Sequence, residues 1–453
     1  MKQKLLLYFT VLFFSISTIF SIDNAHFYKA PLFHGIQNYE EEKDWLTQVN
    51  LIYANGSTHR GLNSRDEKTQ AFDIYGHHNL LSIFSGVANP TNMPLDVLAI
   101  HDNTETKRIA FNGLTDTQKG IKTDFGQGIF SGKFETDEVI IDINQNIKNN
   151  FFVQLNIPFR RVNVSKIDFI DTSTDATNPP AADNYTKTDA TWTDFLTSFS
   201  SGDILNAYGL ENYSEGYKRF GFGDININVG WRKEWLDPID FLEFVKIIPR
   251  LGVQFPTNIN ALSGHPFSIP TGYNGHFGFP VRFDAIAGLS KDIFLGAHTG
   301  LTLFCNKTHK HFRVKTDINQ NGFIKLAQCK VTEKKGLLFD FGIYLKLDHF
   351  FKGLSALTGY SYNKQARDHL VLVNAGDHST NTTIIDSDST LQGWSMHTTH
   401  FMIDYNLGVH NFFSKRKWQP QFGFFYNYPF TGKGIFVTPM TGSNIGCNVT
   451  WKF

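Results

Sequence analysis

Ten side chains carry most of the chemistry this sequence can offer. Arg160, Lys246, Arg250, Arg282 and Lys346 are cations, Asp224, Asp284, Asp340 and Asp404 are anions, and His400 is a titratable imidazole. Each stands in a run whose alternate residues are apolar, as Arg282 and Asp284 do between Val281, Phe283 and Ala285. Opposed rows of such charges around a wet lumen would set up a transverse field and select among ions and small polar solutes. The plainer reading is that they pair and hold a wall in shape. Metal chemistry is not expected. The 17 histidines are scattered, and neither His77-His78 nor His397 with His400 has a carboxylate or Cys at ligand spacing. Catalysis is not expected either, because G-x-S-x-G is absent and no wall Ser stands beside a His in the local sequence. No cofactor is implied.

The elements that must position these charges follow from a period of two. Ile445, Cys447, Val449, Trp451 and Phe453 alternate with Asn444, Gly446, Asn448, Thr450 and Lys452. Val153, Leu155, Ile157 and Phe159 alternate with Gln154, Asn156 and Arg160. The same pattern recurs near 48–53, 141–144, 224–231, 245–255, 279–288, 295–303, 339–347, 359–363, 400–409 and 421–428. That makes about twelve strands, an even number, joined by connections that alternate short and long. This predicts an all-β, transmembrane, antiparallel up-and-down barrel, with short periplasmic turns and long extracellular loops. A strand pair within 55–131 would raise the count to fourteen. The ten charged or titratable residues then line the lumen, because Arg or Lys facing lipid near the midplane costs about 2–4 kcal/mol. A closed sheet also satisfies the backbone in lipid. A large β-sandwich or a solenoid is the soluble alternative, but no constant repeat length is present.

Composition agrees. The 453 residues include 44 Phe and 16 Tyr, only 19% are charged, and 42 basic residues balance 42 acidic ones. Nothing points to nucleic acid. Lys2 and Lys4 precede an apolar stretch from Leu5 to Phe20, the pattern of a signal peptide over 1–21 cleaved somewhere in 21–25. Residues 26–43 are then expected as a periplasmic N-terminal segment and 44–453 as the barrel. Within it, 55–131 holds an apolar centre expected to plug or cover the pore. The 165–218 loop holds Trp192, Phe195, Phe199, Ile204 and Leu205, expected as short amphipathic helices over the extracellular entrance. Three cysteines are too few for a disulfide scaffold, although Cys305 and Cys329 flank one loop and are candidates to pair.

Three resemblances follow from these residues. The last strand, ending on Phe453, resembles the terminal signal through which outer-membrane barrels meet their assembly machinery. Gly221-Phe222-Gly223-Asp224 resembles a motif of the long-chain fatty-acid and aromatic-compound outer-membrane transporters, where a strand enters the wall from a loop. That resemblance implies fourteen strands and an N-terminal luminal hatch, whereas here a plug would come more naturally from 55–131. The strand count resembles that of outer-membrane phospholipases, which use a His–Ser pair on the lipid-facing wall. The expected function is an outer-membrane channel for passive passage or uptake of small polar or amphipathic solutes, set in outer-membrane lipid and favoured as a monomer. The alternatives are a structural surface protein or adhesin with a closed lumen, and a phospholipase-like enzyme. Conductance in planar bilayers separates the first two.

Overall fold

The computed structural model describes residues 25–32, 45–83, 127–172, 196–197, 199–239, 241–318, 320–373, 382–409 and 418–450. The leader, most of the 55–131 centre, the start of the 165–218 loop and Phe453 lie outside the described residues.

Along the chain the strands are β1 (Leu46–Thr58), β2 (Arg60–Leu62), β3 (Lys68–Gln70), β4 (His78–Asn79), β5 (Gln127–Asn146), β6 (Phe151–Asp171), β7 (Tyr217–Phe222), β8 (Ile225–Trp231), β9 (Lys233–Ile239), β10 (Leu242–Phe255) and β11 (Gly278–Ser290). They continue as β12 (Ile293–Phe304), β13 (Lys307–Val314), β14 (Ala327–Lys334), β15 (Leu338–Phe351), β16 (Leu354–Gln365), β17 (His369–Leu372), β18 (Trp394–Asn406), β19 (Trp418–Lys433), β20 (Ile435–Phe436) and β21 (Met440–Thr450). Twelve of them, β1, β5, β6, β8, β10, β11, β12, β15, β16, β18, β19 and β21, form one antiparallel ring. β1 pairs with β21 on one side and β5 on the other, and β5 pairs with β6, so the sheet has no free edge. Each run of alternation predicted from sequence falls on one of these strands, except that Leu407–Val409 form a 3-10 turn and 451–453 lie outside the described residues, and the count is twelve.

The pleat sets the two faces. Arg250 is 1% exposed, while the next residue, Leu251, is 64% exposed. Phe424 is 72% exposed, while Arg160 is 1% exposed. A soluble protein would reverse these values. The outer face is a continuous apolar band, as a lipid-facing barrel requires. Aromatics flank it. Phe151, Trp235, Phe241, Phe350 and Trp418 are exposed near the short turns; Phe220, Phe222, Phe279, Tyr428 and Phe430 are exposed nearer the long loops. No helix among the described residues is long and apolar enough to cross a membrane, which leaves crossing by strands open.

Two strands overshoot the lipid. β5 and β6 have 20 and 21 residues, where roughly 9–11 tilted residues suffice. Their outward residues change from apolar Val139 and Phe159 to Asp137 and Arg161, which form an ion pair, and then to Glu135 and Asn163, hydrogen-bonded at 2.7 Å. The bilayer boundary lies at that change. Above it, β13, β14 and β17 make a small separate sheet, and β2, β3 and β20 make another. The long connections between β12 and β15 and between β16 and β18 therefore carry strands of their own.

The fourth wall strand is broken. β7 pairs with upper β6 only, β8 lies between β6 and β10, and β9 pairs with lower β10. Gly223 and Asp224 mark the first break, so the Gly221–Asp224 motif sits where the strand leaves the wall for the loops.

Candidate functional site

The barrel interior has two zones. In the lower zone, towards the short turns, charged groups from neighbouring strands meet in pairs. Arg250 reaches Asp284 at 3.0 Å, and Arg282 Nε donates to the same carboxylate at 3.0 Å. One step round the wall, His298 faces Asp340 at 3.3 Å. Gln154 joins Asp142 at 2.9 Å and Arg250 at 3.4 Å. Nearer the turns, Lys346 pairs with Asp348 at 2.6 Å, Lys246 pairs with Glu234 at 2.6 Å, and Gln421 donates to Asp404 at 3.0 Å.

All ten predicted side chains are buried and share the inner face with these partners. They do not form one ring. Arg250, Arg282 and Asp284 come together, with His298–Asp340 beside them. Lys246, Lys346 and Asp404 have separate partners. Asp224 sits at the wall break, where its carboxylate accepts from Tyr273 N at 2.7 Å, Gln254 Nε2 at 3.2 Å and Asn258. It pins the loop between β10 and β11. His400 lies in a chain of three groups from β16, β18 and β19: Ser361 Oγ at 2.7 Å from Nε2, and Asn427 Oδ1 at 2.9 Å from Nδ1.

The N-terminal segment corrects an expectation. Of the segment 26–43 expected in the periplasm, residues 26–32, with Ala25, lie inside the barrel near its long-loop end, and 33–43 lie outside the described residues. Lys29 meets Glu138 at 2.8 Å, and both are buried. Arg160 closes on the same carboxylate through Nε at 3.1 Å and on Tyr28 Oη at 3.1 Å, with His26 Nε2 at 3.0 Å. Tyr273 Oη donates to the Ala25 carbonyl at 2.7 Å, and Ala30 N donates to the Thr438 carbonyl at 3.2 Å. The physical reason is acceptor capacity: Arg160 occupies Glu138 Oε1, and the second carboxylate oxygen, Oε2, takes Lys29. The plug seen among the described residues is thus N-terminal. Residues 59–83 of the 55–131 insertion form part of a cover, one of the two places expected for that insertion.

That cover is the upper zone. Tyr28, Phe72, Ile74, Leu80, Phe130, Phe134, Phe199, Ile204, Leu205, Phe267, Ile324 and Phe436 bury one another in one apolar cluster. Phe72 packs edge-on against Phe267 at 5.2 Å and Phe436 at 5.5 Å. The loop expected to be helical contributes a short helix, Asp203–Ala207, whose Ile204 and Leu205 face this cluster. Within the cover, Asp73 is pushed up to about 6 by burial, opposed by His77 and the Thr69 hydroxyl. Burial, helped by Lys325 and His77, pushes His78 down to about 3. His78 Nε2 accepts from Phe323 N at 3.0 Å, the role of a neutral ring.

No family model and no curated protein matches the chain. Among solved structures it is similar to an outer membrane channel from Pseudomonas putida F1, at 7% identity and TM-score 0.45 over 93% of this chain and 100% of that one. It is also similar to the translocator domain of autotransporter NalP from Neisseria meningitidis, at 8% identity and TM-score 0.35 over 90% of each chain. A third is the Pseudomonas putida toluene transporter TodX, at 8% identity and TM-score 0.29 over 96% of this chain and 100% of that one. These scores are low, and the architecture rests on the closed strand ring and its apolar belt. The protein is a membrane-spanning β-barrel of the bacterial outer-membrane type.

Sequence reasoning missed Glu138, Lys29 and His26, the partners of Arg160, and also Ser361 and Asn427, the partners of His400. Glu138 had a signal, since it continues the inward parity of Asp142 and Asn144. Ser361 and Asn427 lie on the polar parity of the runs near 359–363 and 421–428, but nothing local pairs them with His400.

Proposed function

We propose that this barrel is a gated outer-membrane channel for small polar or amphipathic solutes. One observation carries the reading: a segment that is no part of the wall, residues 25–32, occupies a charge-lined lumen and is held there by side-chain contacts. The ion-paired node of Lys29, Glu138 and Arg160 is its main polar anchor. A barrel serving only as a surface scaffold has no use for a removable occupant in a polar interior. The apolar cover above and the charged lumen below suit a solute with both characters. The lower zone would set ion preference through Arg250, Arg282 and Asp284.

The test is single-channel current in planar bilayers. Purified wild-type barrel is expected to give small, reproducible current steps. A variant lacking 26–32 is expected to give larger ones. Absence of steps from both, with the barrels folded, rules the reading out.

A second reading has its own observation. Ser361, His400 and Asn427 are connected as a nucleophile, a base and an orienting group would be. The Ser361 side chain is buried in the wall interior, and as a polar lumen network the trio needs no chemistry. We therefore rank a hydrolase below a channel. Covalent labelling of Ser361 by a serine-directed fluorophosphonate, lost in Ser361→Ala, would reverse that order.

A further inference from the structure

Above the bilayer, three potential metal ligands converge from separate segments. His276 ends the loop before β11, His309 is on β13 and Glu333 is on β14. Their ligand atoms all lie within 4.8 Å of one another. His276 Nε2 is 3.0 Å from Glu333 Oε2, and His309 Nε2 is 2.9 Å from the same oxygen.

The tautomer of His276 sharpens the geometry. Its Nδ1 lies 2.8 Å from the Cys305 carbonyl oxygen, which can only accept, so Nδ1 carries a hydrogen. In the neutral ring, Nε2 then presents a lone pair. His276 is wholly buried, and Nε2 has no hydrogen-bond partner. Two lone-pair atoms 3.0 Å apart repel unless a proton or a metal cation lies between them, and among the described residues Nε2 makes no well-directed hydrogen bond to Oε2. The other oxygen of Glu333 is already engaged: Lys335 meets Oε1 at 3.3 Å and also binds Asp368 at 3.0 Å. Oε2 faces the imidazoles, with only a long 3.4 Å contact from Asn274 Nδ2.

We infer that His276, His309 and Glu333 form a site for a borderline divalent cation of the zinc class. Two imidazoles and one carboxylate suit zinc better than calcium or magnesium, which prefer oxygen. Tetrahedral ligands at about 2.0–2.1 Å lie roughly 3.3 Å apart, so the two imidazole–carboxylate spacings need only a small outward shift. The Cys305 carbonyl holding His276 Nδ1–H is the outer-shell contact that fixes a ligating histidine. His309 is the less buried of the two imidazoles. A cation here ties the loop before β11 to the outer sheet of β13 and β14. The inference stands independently of the channel reading.

The test uses the full-length barrel in detergent, stripped with chelator, exposed to zinc chloride and desalted. One zinc per chain is expected by elemental analysis. Cobalt in place of zinc should give the visible absorption of a tetrahedral site. His309→Ala should weaken zinc binding by about 10- to 100-fold or more, since loss of an outer-shell contact alone costs that much. His369→Ala, at a histidine outside the trio, should leave it unchanged. If the folded wild-type barrel takes up less than one zinc saturably, or if His309→Ala binds as tightly as wild type, the site is an imidazole–carboxylate cluster and the inference is wrong.

Discussion

The two zones of the interior do the same job with opposite chemistry. The lower zone fills the lumen with charges that must be paired, because each carries a large desolvation cost. The upper zone fills the mouth with aromatic side chains whose burial is favourable without regard to direction. The lower zone therefore depends on partners, and the upper zone depends on shape. Residues 25–32 belong to both: Lys29 answers Glu138, while Tyr28 packs on Phe134 at 5.6 Å.

The largest effects should come from the charged node that holds residues 25–32 and from the apolar cover. Glu138→Ala leaves Lys29 and Arg160 buried together without their anion, which should cost about 3–5 kcal/mol. Phe72→Ala removes a fully buried ring and should also cost about 3–5 kcal/mol. Their consequences should differ. Glu138→Ala should release residues 25–32, seen as rapid hydrogen exchange in that segment and as larger current steps. Phe72→Ala should loosen the cover and leave the Lys29 contact in place. If the two variants give the same exchange pattern, the zones form one cooperative unit and the contrast between them fails.

A smaller effect separates shape from charge more finely. Gly322 has φ +85°, and an added Cβ would run into the His78 ring. Gly322→Ala should cost about 1–3 kcal/mol of backbone strain and steric shift, confined to the cover. Arg282→Ala leaves Asp284 with Arg250 alone, at about 1–3 kcal/mol for the lost charged contact. Reversal potentials in a salt gradient should then move towards cation preference, while Gly322→Ala leaves them unchanged. Unaltered selectivity in Arg282→Ala would remove the lower zone from the conduction path.

The same contrast explains what could be read in the sequence. Within the bilayer one face meets lipid and the other meets polar groups, so alternation writes both the strands and the inward charges into local sequence. Arg250 and Leu251 are legible as a pair for that reason. Above the lipid the outward face of β5 is polar, with Lys133, Glu135 and Asp137, while the inward face mixes Phe134, Thr136 and Glu138. The contrast between the faces reverses there, and Glu138 keeps only the parity it shares with Asp142 and Asn144. The outer sheet is less legible still, since Lys307 to Arg313 contains two histidines, two lysines and an arginine without alternation. The place of residues 25–32 is set by partners such as Pro270, Tyr273 and Thr438, far along the chain, which no local pattern encodes.

The last prediction concerns pH and the cover, and in the wild type it is a near-absence of effect. Asp73 is raised to about 6 from 3.8, so its contribution is complete below about pH 3.8 and is lost as pH rises through about 6. His78 is lowered to about 3 from 6.5, so its contribution is complete above about pH 6.5 and is lost as pH falls through about 3. Between about pH 4 and 6, opening the cover releases one proton from Asp73 and takes up one on His78. The two slopes cancel, and hydrogen exchange of amides beside His78, such as Phe323, should be flat after correction for the intrinsic rate. Asp73→Asn removes one term, and protection should then fall steadily as pH drops from about 6.5. His78→Gln removes the other, and protection should fall as pH rises from about 4 to 6. If the first substitution leaves the profile flat, Asp73 and His78 do not open with the cover. The upper zone would then owe its closure to its aromatic rings alone.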